Sequence, residues 1–214
     1  EELHQNDLLL NKEFENKIES GPFLVTNYHT KKQEIMVVDN KGTVFQLDDK
    51  GQEVWSFVAN GKMIGEPVEI DFFGNEKLQY LITTKSNIYL IDRKGNSVGD
   101  FPIKLPENAV GEPTQYAISN ATVNDVLVPC KSARIYGYTQ KGLPLPSWSP
   151  MQLSANPIGG VQYFVKSGVK YYFIADAKGN IYLWNKDGKE SIAPISTGAS
   201  FKSNFTLQFG STLN

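Results

Sequence analysis

Lys41-Gly42-Thr43-Val44-Phe45-Gln46-Leu47 is a turn running into a strand, and the chain repeats it three more times. The copies are Lys85-Ser86-Asn87-Ile88-Tyr89-Leu90-Ile91, Lys131-Ser132-Ala133-Arg134-Ile135-Tyr136-Gly137 and Lys178-Gly179-Asn180-Ile181-Tyr182-Leu183-Trp184. Their aromatics, Phe45, Tyr89, Tyr136 and Tyr182, follow one another at 44, 47 and 46 residues. The glycines of the next turns, Gly51, Gly95, Gly142 and Gly188, keep the same steps. A third marker opens each unit: Gly21-Pro22, Gly65-Glu66-Pro67, Gly111-Glu112-Pro113 and a weaker Gly159-Gly160. Three features in one register define an internal repeat.

Each unit reads as four strands. In the second copy Pro67 to Phe73 alternates apolar and polar residues, Leu78 to Thr83 is mostly apolar, and Asn87 to Ile91 comes after a polar turn. A last stretch after Arg93-Lys94-Gly95-Asn96 ends near Ile103. Glycine and asparagine supply the positive φ that tight hairpins need. No segment holds a 3.6-residue apolar period, so few helices are expected. The second strands are apolar on both faces, as in Ile35-Met36-Val37-Val38, Val126-Leu127-Val128 and Tyr171-Tyr172-Phe173-Ile174-Ala175. Such strands must be covered on both sides. Sheets stacked face to face do this, and a period of about 45 residues suits a propeller.

The expected fold is therefore all-β, a β-propeller of four-stranded antiparallel blades, with four recognisable blades and a partial fifth. The blades are placed at 18–62, 63–108, 109–154 and 155–200, within a single propeller domain or propeller fragment. Residues 1–17 and 201–214 belong to a further or shared blade. The tail from Phe201 to Gly210 resembles an inner strand, and the head around Leu8-Leu9-Leu10 and Phe14 could supply outer ones. Either the two ends share a slim fifth blade or the chain is cut from a larger propeller. The second is favoured.

A net charge of −2 argues against nucleic acid as a partner, which calls for a basic surplus or stripe. Nothing approaches the ~18 apolar residues of a membrane-spanning helix. The single cysteine, Cys130, cannot close an internal disulfide and reads as a small buried hydrophobe.

The stretch Leu47-Asp48-Asp49-Lys50-Gly51-Gln52-Glu53-Val54-Trp55 resembles the repeat of the pyrroloquinoline-quinone-like (PQQ-like) propeller superfamily: an aliphatic residue, an acidic turn ending in glycine, and tryptophan four residues later. Only this copy keeps the tryptophan. Ile88 to Asn96 is similar to propeller regions of large Bacteroidetes envelope proteins, which implies an extracytoplasmic setting. The resemblance does not carry the quinone, whose holders have about eight blades and adjacent cysteines, so no cofactor is expected. Non-catalytic members use the repeat to dock proteins.

Catalytic chemistry finds little footing. His4 and His29 lie far apart in the sequence and outside any nucleophile motif, and with one cysteine they suggest no zinc site. The turns at Asp39, Asp48 and Asn185 look like calcium loops but place lysine where ligands are wanted, so they read as hairpin turns. Paired inner-strand carboxylates could serve a glycosidase. Glu66, Glu69, Asp71 and Glu112 are the candidates, with Glu69 and Asp71 expected on one face of the strand.

Two features could mark a binding face. Lys41, Lys85, Lys131 and Lys178 occupy equivalent turns, with Glu66 and Glu112 expected nearer the axis. This pattern would suit a charged protein or an extended polymer. Lysine also recurs in the opposite turns as Lys50, Lys94 and Lys141, so a turn consensus accounts for both sets. Trp148, in the proline-rich stretch Leu143 to Pro150, is a candidate partner contact or a cap on the blade edge. The leading expectation is a non-enzymatic binding or scaffolding module, with a carbohydrate-active propeller enzyme as the alternative.

Overall fold

The computed structural model describes residues 11–114, 125–139, 141–148 and 150–202. Its strands are β1 (Ile18–Thr26), β2 (Gln33–Asp39), β3 (Thr43–Leu47), β4 (Glu53–Val58), β5 (Val68–Ile70), β6 (Gln79–Thr83), β7 (Asn87–Ile91) and β8 (Ile103–Lys104). They continue as β9 (Asp125–Cys130), β10 (Arg134–Thr139), β11 (Met151–Gln152), β12 (Pro157–Lys166), β13 (Val169–Asp176), β14 (Asn180–Asn185) and β15 (Glu190–Ser196). The sheets are β1-β2-β3-β4, β5-β6-β7-β8, β9-β10-β11 and β12-β13-β14-β15, each an antiparallel meander. Ahead of β9, the Val110 and Thr114 amides donate to the carbonyls of Pro129 and Leu127 at 2.9 and 3.0 Å, alongside the third sheet. Among the described residues the helical content is one 3-10 turn, Pro146–Trp148. The first two sheets belong to one compact unit and the last two to another, apart from the turn 139–143, which belongs to the first. The head as far as residue 10 and the tail from residue 203 lie outside the described residues.

One turn is built four times. Asp48 Oδ1 accepts the amides of Lys50 and Gln52, Asp92 Oδ1 those of Lys94 and Asn96, and Asn185 Oδ1 those of Asp187 and Lys189, all at 2.8–3.0 Å. Thr139 Oγ1 takes the Leu143 amide at 3.1 Å in the equivalent place. The residue that completes each turn is Gly51, Gly95, Gly142 or Gly188, at φ between 70 and 85°. A side chain is disfavoured in that left-handed region, which explains the glycine register. The carboxylates that resembled calcium ligands are spent on backbone amides.

These turns also lock neighbouring sheets. In the first unit Trp55 of β4 is buried 6.3 Å from the Tyr80 ring, and Phe57 lies 5.3 Å from Tyr89. Gly95 sits on that tryptophan, so a Cβ there would fall 2.8 Å from the side chain. A Cβ on Gly142 would stand 2.6 Å from Ile103. In the second unit one on Gly188 would meet the Ser147 carbonyl at 2.3 Å, beside Trp148. Trp148 is edge-on to Tyr172 and Trp184 at 5.2 and 5.7 Å.

Trp148 thus corrects the reading of a surface contact. It is 0 % exposed, and its indole N–H donates to the Lys186 carbonyl at 3.2 Å. The 3-10 turn folds it inward, where it takes the place held by Trp55 in the first sheet.

Gly95→Ala and Gly74→Ala separate strain from packing, because a Cβ on Gly74, at φ 64°, meets nothing within 4 Å. Urea unfolding should show a loss of about 1 kcal/mol at Gly74 and about 2–4 kcal/mol at Gly95, where overpacking adds to the strain.

Candidate interaction surface

Lys41, Lys85, Lys131 and Lys178 stand on the turns joining β2 to β3, β6 to β7, β9 to β10 and β13 to β14, and all four are exposed. Three of them have their backbone amides bonded. The Lys41 amide donates to Asp39 Oδ1 at 2.9 Å and the Lys178 amide to Asp176 Oδ1 at 3.0 Å. The Lys85 amide donates to the Lys62 carbonyl at 2.8 Å. The ion pairs among the described residues use other lysines: Lys32–Asp49, Lys62–Glu19 and Lys186–Asp187. Each compact unit therefore presents two such lysines.

Two buried aspartates organise the turns beneath Lys41 and Lys178. Burial disfavours ionisation of Asp39, but the amides of Thr43 and Lys41 outweigh it and hold its carboxyl below the usual range. Burial likewise opposes ionisation of Asp176, and donors from Ser154, Asn180 and Tyr182 overcome it.

The repeated aromatics have a role that spacing alone does not reveal. The Tyr89 hydroxyl accepts the Asn60 amide at 2.6 Å, and the Tyr182 hydroxyl accepts the Ser154 amide at 2.8 Å. In both cases the tyrosine fastens the segment that runs between its own sheet and a neighbour. Phe45 has no hydroxyl and is instead met edge-on by Phe14, 5.2 Å between centroids.

The carboxylates are dispersed. Glu66 is exposed. Glu112 is half-buried and engaged, with its carbonyl 2.6 Å from where a Cβ of Gly160 would stand. A Cβ on Gly111 would lie 2.0 Å from the Gly159 carbonyl, so Gly111 and Gly159-Gly160 mark a close approach of two backbones. Glu69 accepts the Thr26 amide across the first two sheets. Asp71 does not share its strand face, because β5 ends at Ile70. Its two oxygens accept the amides of Asn75 and Glu76 at 3.0 and 2.8 Å and close the loop.

A buried polar seam runs nearby, where Glu34 accepts from Asn27 and Gln46. Gln46 also donates to Tyr80 at 3.2 Å, and burial pushes that phenol up to about 12. His29 is exposed on the turn after β1, Cys130 is buried and outside any disulfide, and His4 lies outside the described residues. Among the described residues no three His, Cys, Asp or Glu side chains gather as a metal site. No described helix is long and apolar enough to cross a membrane.

Stacked four-stranded meanders of this kind are the blades of a β-propeller, and solved structures agree. The chain is similar to BBS1N, crystallised in complex with ARL6DN, with a TM-score of 0.59 and 13 % identity over 86 % of this chain and 57 % of that one. It is similar to the Pan2 WD40 domain of Neurospora crassa, with a TM-score of 0.53 and 9 % identity over 78 % of this chain and 46 % of that one. It also resembles the computationally designed Ika8 protein, with a TM-score of 0.52 and 13 % identity over 83 % of this chain and 48 % of that one. The chain thus spans about half the length of these propellers. No family model matches it, and no curated protein matches its sequence.

Asp39 and Asp176 make stability acid-sensitive. Their folded carboxyls ionise below the ordinary value of 3.8, so their contribution is complete above that value and is lost as pH falls through the folded ones. Asp176→Asn keeps an acceptor but cannot titrate. Between about pH 4.5 and 2.5 its urea midpoint should fall less than the parent's.

Proposed function

We propose that the chain is a non-catalytic propeller module of PQQ-like type that docks the acidic surface of another protein, or an extended acidic polymer, on its lysine-bearing turns. The observation that carries this reading is the set of exposed lysines at Lys41, Lys85, Lys131 and Lys178, three of them on turns whose own amides are bonded from below. A pre-ordered turn loses little entropy on binding, and a charge held out in solvent steers an oppositely charged partner. The crystallised complex of BBS1N with ARL6DN supports docking as a use of this fold.

The scaffold reading, rather than the glycosidase one, is supported by what the acids do. Glu69 and Asp71 accept backbone amides in place of flanking an open cleft. The PQQ-like subtype is supported by the turn at Gly51 with Trp55 after it, and by the seat of Trp55 on Gly95. An extracytoplasmic site of action is supported by the resemblance of Ile88 to Asn96 to envelope propellers.

Fluorescence anisotropy with labelled poly-glutamate tests the surface. Reversing Lys41 and Lys85 to glutamate should weaken binding roughly tenfold at low salt, an effect that fades toward 0.15 M. Reversing Lys50 and Lys94, on the opposite turns, should leave it nearly unchanged. Equal losses from both pairs would reduce the interaction to unspecific charge attraction and defeat the proposal.

A further inference from the structure

The fourth sheet packs one face on the third and turns an apolar face away from it. Tyr172, Ile174, Tyr182 and Trp184 form a core with Leu127, Ile135 and Trp148 of the third sheet and the turn after it. Alternation puts Phe164, Tyr171 and Leu183 on the other face, where register sets Phe164 opposite Tyr171 and Leu183 opposite Ile192. The Phe164 and Tyr171 rings are stacked at 5.3 Å, and Ile192 is 47 % exposed. With Ser191 these residues line a groove of about 660 Å³. That is the size of a small-molecule site, and walls of hydrocarbon with few polar groups are typical of one.

Positive charge gathers at one end of this groove. Lys166, which lines it, stands opposite Val169 at the tip of the β12–β13 hairpin. Lys189 stands at the same end, across the sheet on the β14–β15 turn. Its carbonyl accepts the amide of Asn185, and Asn185 is the register partner of Tyr171. The Lys189 amide is in turn fixed on Asn185 Oδ1 at 3.0 Å. Both lysines are exposed, and neither enters an ion pair among the described residues. The acids of that turn are spent elsewhere. Asp187 pairs with Lys186 at 3.2 Å, and Glu190 lies opposite Trp184, on the face that meets the third sheet. All of these residues belong to the second compact unit. An apolar trough with two uncompensated cations at one end is complementary to a molecule with an apolar body and one anionic head.

We infer that this groove binds a free fatty acid or a similar single-chain aliphatic acid. The chain lies against Phe164, Tyr171, Leu183 and Ile192, and the carboxylate sits at the Lys166 and Lys189 end. Burial against rings and branched side chains takes the chain out of water. The two ammonium groups fix its direction, because a cationic head would meet like charges there. Lys178, on the β13–β14 turn, lies at the other end of these strands, so this site is separate from the lysine-bearing docking surface.

Isothermal titration calorimetry on the full chain at low salt, with fatty acids kept below micelle formation, tests the site. Dodecanoate should bind saturably, and affinity should rise roughly twofold to fourfold with each methylene from octanoate upward. Ile192→Asp should weaken dodecanoate roughly tenfold or more, and Lys166→Glu with Lys189→Glu about tenfold. If the aspartate prevents folding, Ile192→Ala serves the same comparison. Lys41→Glu with Lys85→Glu should leave binding unchanged. Equal binding of dodecyltrimethylammonium, an affinity indifferent to chain length, or an Ile192 variant that binds as the parent does would overturn the inference. So would a concentration-dependent dimer, by light scattering, that Ile192→Asp dissolves, which would give the groove to a second copy. Binding to anionic phospholipid vesicles without saturable binding of dodecanoate would give it to a membrane surface instead and overturn the inference as well.

Discussion

A sheet whose central strands are apolar on both faces leaves water only when something lies against each side. Every residue of β6 and β7 is buried, so no face of that hairpin is free to meet solvent. This requirement organises the rest of the chain. Inside each compact unit the sheets answer it by stacking, with Met36, Val38 and Trp55 against Tyr80, Ile82 and Tyr89 in the first. Leu127, Ile135 and Trp148 meet Tyr172, Ile174 and Trp184 in the second. Burying one such side chain contributes about 1.5–3 kcal/mol, far more than any surface ion pair of the Lys32–Asp49 kind, so stacking decides the architecture.

Stacking at this closeness dictates chemistry at the turns. A turn that leans on the neighbouring sheet's tryptophan must be glycine, and it must be closed by a short side-chain acceptor that satisfies its own amides. Gly95 on Trp55 and Gly188 beside Trp148 meet both demands, with Asp92 and Asn185 as the acceptors. The opposite turns are organised by Asp39 and Asp176, whose carboxylates are consumed by amides two and four residues on. Lysine is then free to project from a fixed backbone. The row of exposed lysines is a by-product of turns built for packing.

The architecture is legible in the sequence because its cause is periodic. Glycine every 44 to 47 residues reflects one turn geometry, and the apolar second strands reflect burial on both faces. Features that periodicity does not encode stay hidden. Alternation from Pro67 to Phe73 gives no sign that β5 stops at Ile70, so Asp71 reads as a strand residue when it closes a loop. The prolines around Trp148 signal a broken strand, but the direction of the indole depends on the 3-10 turn they create. Tyr89 and Tyr182 are visible as recurring bulk within the repeat, yet their hydroxyls matter only once Asn60 and Ser154 are brought beneath them. Of the candidate surface, the four lysines are legible as equivalent turn positions. Glu112 reads as the rim of a mouth, whereas it is half-buried and engaged, because the backbone approach at Gly160 involves a separate strand.

The contact between consecutive sheets is the claim on which everything rests, and a double-mutant cycle on Phe57 and Tyr89 measures it directly. The two rings belong to β4 and β7 of successive sheets and lie 5.3 Å apart. Leucine at each position singly and together, with urea unfolding of each variant, should give a coupling energy of about 0.5–1.5 kcal/mol. Strictly additive losses would mean that the rings do not touch and that the sheets do not stack as described.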